Sequence, residues 1–295
     1  MDTIPQEVLS NIVGYLDSRS IIKIATSFRG AVGEDIRKLS EDNIFWKHRV
    51  ATLLKKNIPD YIHLNWREVY TKLSNSDRQN YFLVAAKYGY TELIDLIYPV
   101  NMNLEKLAEG RLIAADRGHA SFVNYITEKA GLKNRDNIDD VLKLLEHSTY
   151  AGSIELTSYI LSNKLLDGQV IPAYILYTAI HQKHSDIVEL LLDDERVDTS
   201  GNELMFGFGK ENPLETAMKT ESFGIFKLLL ASGRIDPCEN DCYLLTVAVG
   251  KTDYNEYLKL LLADPRVNPA RNNIAIREAY RNNNVQAVKL LSGSR

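Results

Sequence analysis

Leu190-Leu191-Leu192-Asp193-Asp194-Glu195-Arg196-Val197-Asp198 returns as Leu228-Leu229-Leu230-Ala231-Ser232-Gly233-Arg234-Ile235-Asp236. It returns again as Leu260-Leu261-Leu262-Ala263-Asp264-Pro265-Arg266-Val267-Asn268. Each copy closes an apolar stretch of helical spacing and opens a polar turn before the next such stretch. A sentence repeated at this period predicts stacked helix pairs rather than one closed core. Stacks of that kind mostly present surface to a partner.

Working outward, the second helix of each pair has an anchor at Ile94, Val123, Thr157, Val188, Phe226, Leu258 and Val288, with gaps of 29, 34, 31, 38, 32 and 30 residues. Only Thr157 is polar. Three residues later an apolar partner follows: Ile97, Ile126, Ile160, Leu191, Leu229, Leu261 and Leu291. The i, i+3 spacing puts both on one helix face. Nine residues before the anchor stands alanine in most copies: Ala85, Ala114, Ala179, Ala217 and Ala279. Alanine there favours helix and lets the two helices of a pair approach closely. Gly89, Gly118 and Gly152 end the first helix in three copies.

These features resemble the ankyrin repeat. Ala114-Ala115-Asp116-Arg117-Gly118-His119 is similar to the family's A-A-x-x-G-H run, and Thr178-Ala179-Ile180-His181 through Leu192 is similar to its inner helix, loop and outer helix. The resemblance covers residues 78–295, about seven degenerate units, with one extra residue between the helices of the 242–262 unit. It implies an all-α solenoid for residues 75–295. It also implies that His119 and His184, each four residues before an anchor, bond neighbouring backbone. The finger style, Arg-Val/Ile-Asx after a triple Leu, resembles the ankyrin arrays of large DNA viruses of eukaryotes, which implies a host–virus setting. Within each finger, Val197, Ile235 and Val267 are expected to pack under the neighbouring finger. Asp198, Asp236 and Asn268 are expected to start the turn by bonding their own backbone. Arg196, Arg234 and Arg266 are expected to line one solvated edge.

Residues 1–74 do not fit the repeat. Ile4-Pro5-Gln6-Glu7-Val8-Leu9-Ser10-Asn11-Ile12-Val13-Gly14-Tyr15-Leu16-Asp17 predicts a helix with a broad apolar face, Pro5 in its first turn. A short second helix, Ile21 to Phe28, and the aromatic pair Phe45-Trp46 follow. This order resembles the F-box, over residues 3–50. By that resemblance Ile4, Pro5, Leu9, Ile12, Tyr15 and Leu16 would dock a Skp-family adaptor of a cullin ubiquitin ligase. The alternative is a helical cap on the first repeat. Residues 50–74 predict two further helices, with Trp66 packed at the junction.

The 38-residue gap holds the largest local anomaly. Its extra length falls in Thr199–Gly209, where Leu204, Met205, Phe206 and Phe208 put four large apolar side chains on an extended finger. They are candidate partner contacts, because aromatic and Met anchors concentrate binding energy. The alternative is that they pack down on adjacent helices.

The remaining features narrow the class. Residues 1–74 carry a net charge of +2 and the remainder −6, within a total of −4. An acidic stack argues against nucleic acid as the main partner. Cys238 and Cys242 are the only cysteines; without a second Cys/His cluster they are expected as free thiols in a reducing compartment, not a zinc site. His181 and His184 lack a third ligand, Gly207-Phe208-Gly209-Lys210 lacks the rest of a phosphate loop, and no Gly-x-Ser-x-Gly turn occurs. No apolar run is long enough to span a membrane. The expectation is an intracellular, cytoplasmic or nuclear, non-enzymatic interaction protein without cofactor. It would be a substrate receptor bringing an unidentified target to a ligase, or else a scaffold or inhibitor that sequesters its partner.

Overall fold

The computed structural model describes residues 41–54, 64–74, 80–97, 104–131, 138–163, 166–200, 202–203, 210–271 and 273–293, with Ser20, Lys38, Ile58 and Ser76. Over these residues the protein is all-α apart from one two-rung hairpin. The chain divides into two compact blocks after Ala130. The boundary expected after residue 74 falls inside the first block.

The first block contains α1 (Asn43–Leu54), α2 (Trp66–Ser74), α3 (Tyr81–Tyr88), α4 (Ile94–Ile97), α5 (Leu104–Asp116) and α6 (Ala120–Lys129). Phe45-Trp46 and Val50–Leu54, read separately in the sequence, form one continuous helix. It buries Phe45, Trp46, Val50 and Leu54. Helix α1 packs on α2. The Trp46 ring lies 5.2 Å from Phe45 and 5.3 Å from Tyr70. The Arg49 guanidinium sits 4.7 Å above Tyr70 and donates to its hydroxyl. Asn43 ties the two helices end to end, accepting from the Trp66 amide at 2.8 Å and donating to the Leu64 carbonyl at 2.9 Å. Trp66 is buried, as expected of a packing residue. Helix α2 touches α3, with the Lys72 ammonium 4.4 Å above the Tyr88 ring. Beyond it, α3 packs on α5 and Phe82 meets Phe122 at 5.7 Å.

The second block is a row of helix pairs: α7 (Ile138–Tyr150) with α8 (Ile154–Leu161), α9 (Ala173–His181) with α10 (Ser185–Asp193), α11 (Pro213–Lys219) with α12 (Phe223–Ala231), α13 (Glu239–Val249) with α14 (Asn255–Ala263), and α15 (Asn273–Arg281) with α16 (Val285–Gly293). First helices pack on first helices along the series α7, α9, α11, α13, α15. Second helices pack likewise: α8 on α10, α10 on α12, α14 on α16. Tyr257 of α14 stands edge-on to Phe223 and Phe226 of α12. This is a helical repeat in which each pair buries its apolar face against the next.

The period placed the core correctly. Every anchor from Ile94 to Leu258 is buried, Val288 is half-buried, and all five alanines nine residues upstream are fully buried. The polar anchor has a physical reason. Thr157 donates to Ser148 Oγ at 3.1 Å, and Ser148, standing where other pairs have alanine, donates to the Leu145 carbonyl. Two polar substitutions in one pair satisfy each other.

One loop joins the helices within most pairs. The residue five before the anchor is left-handed in Gly89, Gly118, Gly152, Lys183, Glu221 and Asn283. The next residue donates its amide to the carbonyl five positions back: Tyr90 to Ala85, His119 to Ala114, Ser153 to Ser148, His184 to Ala179, Ser222 to Ala217 and Asn284 to Ala279. That closure caps the helix carbonyls as in the Schellman motif. Helix α13 departs from it. Its extra residue replaces the left-handed turn with the 3-10 turn Thr252–Tyr254.

Candidate interaction surface

The turns that connect one pair to the next carry the repeated sentence, and all three copies fold alike. Val197, Ile235 and Val267 are buried, and Leu166 fills the same place one pair earlier. Asp198, Asp236 and Asn268 each accept, through Oδ1, the amide two residues on: Ser200 at 2.8 Å, Cys238 at 2.8 Å and Ala270 at 3.0 Å. Both readings hold.

The arginines do more than line a solvated edge: Arg266 is exposed and Arg196 and Arg234 are half-buried, and each also bonds backbone. Arg196 donates to the Leu161 carbonyl at 2.6 Å. Arg266 donates to Leu230 at 2.9 Å and Ile235 at 3.1 Å. Arg234 reaches the carbonyls of Leu192, Asp194, Glu195 and Val197, at 2.8, 2.9, 3.4 and 2.5 Å. Each guanidinium therefore caps the end of the preceding pair's second helix. Helix C-termini leave carbonyls without partners and carry partial negative charge, and the planar five-donor fork of arginine suits both. Arg196 and Arg266 are held in place by Asp194 and Asp264, at 2.6 and 2.7 Å. Hydrogen bonds from these arginines hold both carboxyls below the ordinary carboxylate range. Ser232 takes the aspartate's place before Arg234, where its hydroxyl accepts the Arg234 amide.

Neighbouring fingers are also tied through backbone. Ile171 and Val197 form a parallel bridge, with Ile171 N donating to Arg196 O and Asp198 N to Ile171 O, both at 2.8 Å. The extra length after Asp198 forms a hairpin stem, Asn202–Glu203 paired antiparallel with Lys210–Glu211. Asn212 follows the stem and caps α11 through the Leu214 amide. Its side-chain amide donates onward to Asp236 O and Glu239 Oε2. Leu204, Met205, Phe206 and Phe208 lie outside the described residues. So do Ile4, Pro5, Leu9, Ile12, Tyr15 and Leu16.

The histidines act as the repeat resemblance implied. His119 Nε2 lies 3.2 Å from the Lys87 carbonyl and His184 Nε2 3.2 Å from the Tyr150 carbonyl. Each ring rests on the loop glycine of the preceding pair. A Cβ at Gly89 would lie 2.7 Å from His119, and one at Gly152 would lie 2.6 Å from His184. Where Lys183 occupies the loop position, the next pair carries the small Ser222 instead.

Among the described residues no group of three or more His, Cys, Asp or Glu side chains is placed to hold a metal ion, and no helix is long and apolar enough to cross a membrane. No protein-family model matches the chain, and no curated protein matches it in sequence. Cys238 and Cys242, expected as free thiols, are both buried, at the entry to and in the first turn of α13.

Several exposed apolar residues escaped the sequence reading. Val170, 69% exposed, stands on the finger bridged to the one bearing the hairpin. Tyr150 and Tyr243 project from α7 and α13, and Ile274 from α15. Tyr280 is 63% exposed although Thr149, Ile180, Met218 and Val249, which share its place in earlier pairs, are fully buried. Aligning the pairs would have flagged Tyr280; nothing in the period marks Val170.

Proposed function

We propose that the chain is a non-enzymatic adaptor of the F-box/ankyrin kind. Residues 1–74 form the F-box-like part and residues 75–295 the ankyrin repeats, about seven in number. The observation that carries the reading is the recurrent helix pair with its arginine-stapled finger. It makes a stiff row of interchangeable units whose outward residues are free to vary. In this reading Ile4, Pro5, Leu9, Ile12, Tyr15 and Leu16 dock a Skp-family adaptor of a cullin ubiquitin ligase. The fingers capture a protein target, with Leu204, Met205, Phe206 and Phe208 as its anchors and the exposed Val170 as a further contact. Two sites on one chain raise the effective concentration of target at the ligase, which performs the chemistry. The setting is the cytoplasm or nucleus of a eukaryotic cell or infected host.

A second reading keeps the binding surface and drops the ligase. The front is then a helical cap, and the chain sequesters its partner. The packing of α2 on α3 favours it, because a cap must join the first repeat. A pull-down of the full chain with a Skp-family adaptor, beside the Leu9→Asp/Ile12→Asp double variant, separates the two. The receptor reading expects capture that the folded double variant loses. Failure of the folded wild-type chain to bind leaves the sequestering scaffold.

A further inference from the structure

The first four pairs of the second block cover one another in one way, and the fifth shows what that cover hides. Three places recur on the side of each pair that meets its successor. On the first helix they are Leu145, Leu176, Leu214 and Leu245, and, four residues on, Thr149, Ile180, Met218 and Val249. On the second helix they are the anchors Thr157, Val188, Phe226 and Leu258. All of these are fully buried. In the fifth pair the same places hold Ile276, Tyr280 and Val288. Tyr280 is 63% exposed, and Ile276 and Val288 are half-buried. Arg277 is exposed where Tyr177 is buried and Glu146, Glu215 and Thr246 are half-buried. Helices α15 and α16 pack on each other, so Ile276, Tyr280 and Val288 line the groove between them. The outer face of a pair that closes a row is ordinarily polar. This one keeps two aliphatic residues and adds an aromatic ring.

The fifth pair also differs in charge. From the start of the first helix to the end of the second, the net charge is −3, −2, 0 and −2 in the first four pairs. In the fifth, Arg277, Arg281 and Lys289 against Glu278 give +2. All three cationic residues are exposed, and Arg281 pairs with Glu278 at the surface, at 3.5 Å. Arg277 and Arg281 stand one turn apart on α15, flanking Tyr280.

We propose that this groove docks a helix of a partner protein, an amphipathic one whose apolar stripe takes the place of a next repeat and whose acidic flank meets Arg277 and Arg281. Continuity with the stacking interface sets the shape: each earlier groove of this kind is filled by helices packed along it. Charge sets the partner. A second copy seated through the same face would make a two-fold contact, in which each patch meets itself. Arg277 and Arg281 would then face their own like charges, which repel. An acidic helix gains from both arginines. Tyrosine and arginine are residues on which binding energy concentrates, and a helix laid in an apolar groove is a recurrent mode of recognition. This docking does not depend on the adaptor and target readings above.

The test titrates the full chain into two labelled peptides of about 20 residues, long enough to hold helix in water. Both carry leucine at i, i+3, i+4 and i+7; one has glutamate and alanine elsewhere, the other lysine and alanine. Fluorescence anisotropy should show the glutamate peptide binding at least about tenfold more tightly than the lysine peptide. Tyr280→Ser, at an exposed position, should weaken that binding by about tenfold or more. Arg277→Glu/Arg281→Glu should invert the preference toward the lysine peptide. No binding of the glutamate peptide by the folded chain, equal binding of both peptides, or full binding by Tyr280→Ser would overturn the proposal. A dimer in sedimentation velocity that Tyr280→Ser abolishes would assign the groove to a second copy instead. Tighter binding of a single-stranded oligothymidylate than of the glutamate peptide, lost in the same variant, would assign it to nucleic acid. Either result contradicts the acidic helix.

Discussion

The two kinds of connection in this molecule follow different rules. Between pairs, the turns repeat residues: Arg196, Arg234 and Arg266 recur in register and perform one task. Within pairs, the loops repeat a conformation. Gly89, Lys183, Glu221 and Asn283 share a left-handed backbone and little chemistry. The difference follows from what each connection must supply. A staple needs five donors in a planar fork, which arginine alone provides. A left-handed residue needs only a backbone geometry, and the surrounding hydrogen bonds can impose it on a lysine or glutamate at a modest cost.

The largest expected effect breaks a staple. Arg234→Ala leaves four carbonyls without their charged donor and should lower unfolding stability by about 2–3 kcal/mol in urea titration. Arg196→Ala and Arg266→Ala, with fewer such bonds, should each cost about 1–2 kcal/mol. Equal losses at all three would break the account of Arg234 as the most heavily bonded staple.

Gly152→Ala tests the loops. It meets both a left-handed backbone (φ 74°) and the His184 ring, and should cost about 2 kcal/mol. Adding His184→Ser should recover part of that loss. The reverse change, Lys183→Gly, should stabilise by about 0.5–1 kcal/mol, because glycine accepts the conformation Lys183 is held in. Thermal denaturation with the same buffer reads both signs.

The smallest effect concerns acid. Asp194 and Asp264 have folded pKa values held down by their arginines. Their contribution is complete above the unfolded carboxylate value of about 3.9 and is lost as pH falls through the lower folded values. The Asp194→Asn/Asp264→Asn double variant should therefore show a flatter stability–pH profile below about pH 4. Arg234 has Ser232 in that place, so Ser232→Ala should leave the profile unchanged.

This contrast also explains what the sequence disclosed. The helix pairs, their buried anchors and the three Asx turns were readable because they are written in side-chain identity at fixed spacing. The extended finger was readable as surplus length, and its stem is a hairpin. The function of the arginines was not readable, since their partners are backbone carbonyls some 31 to 42 residues away, and every residue has one. The left-handed loops were visible only where glycine marked them.

The central claim is a division of labour, with docking at residues 4–16 and target capture on the fingers of the second block. Hydrogen–deuterium exchange of the full chain with and without a Skp-family adaptor tests it most directly. The account predicts new protection across residues 4–16 and unchanged exchange from Ile138 to Gly293. Protection on the second-block fingers, or none anywhere in the folded chain, would contradict it.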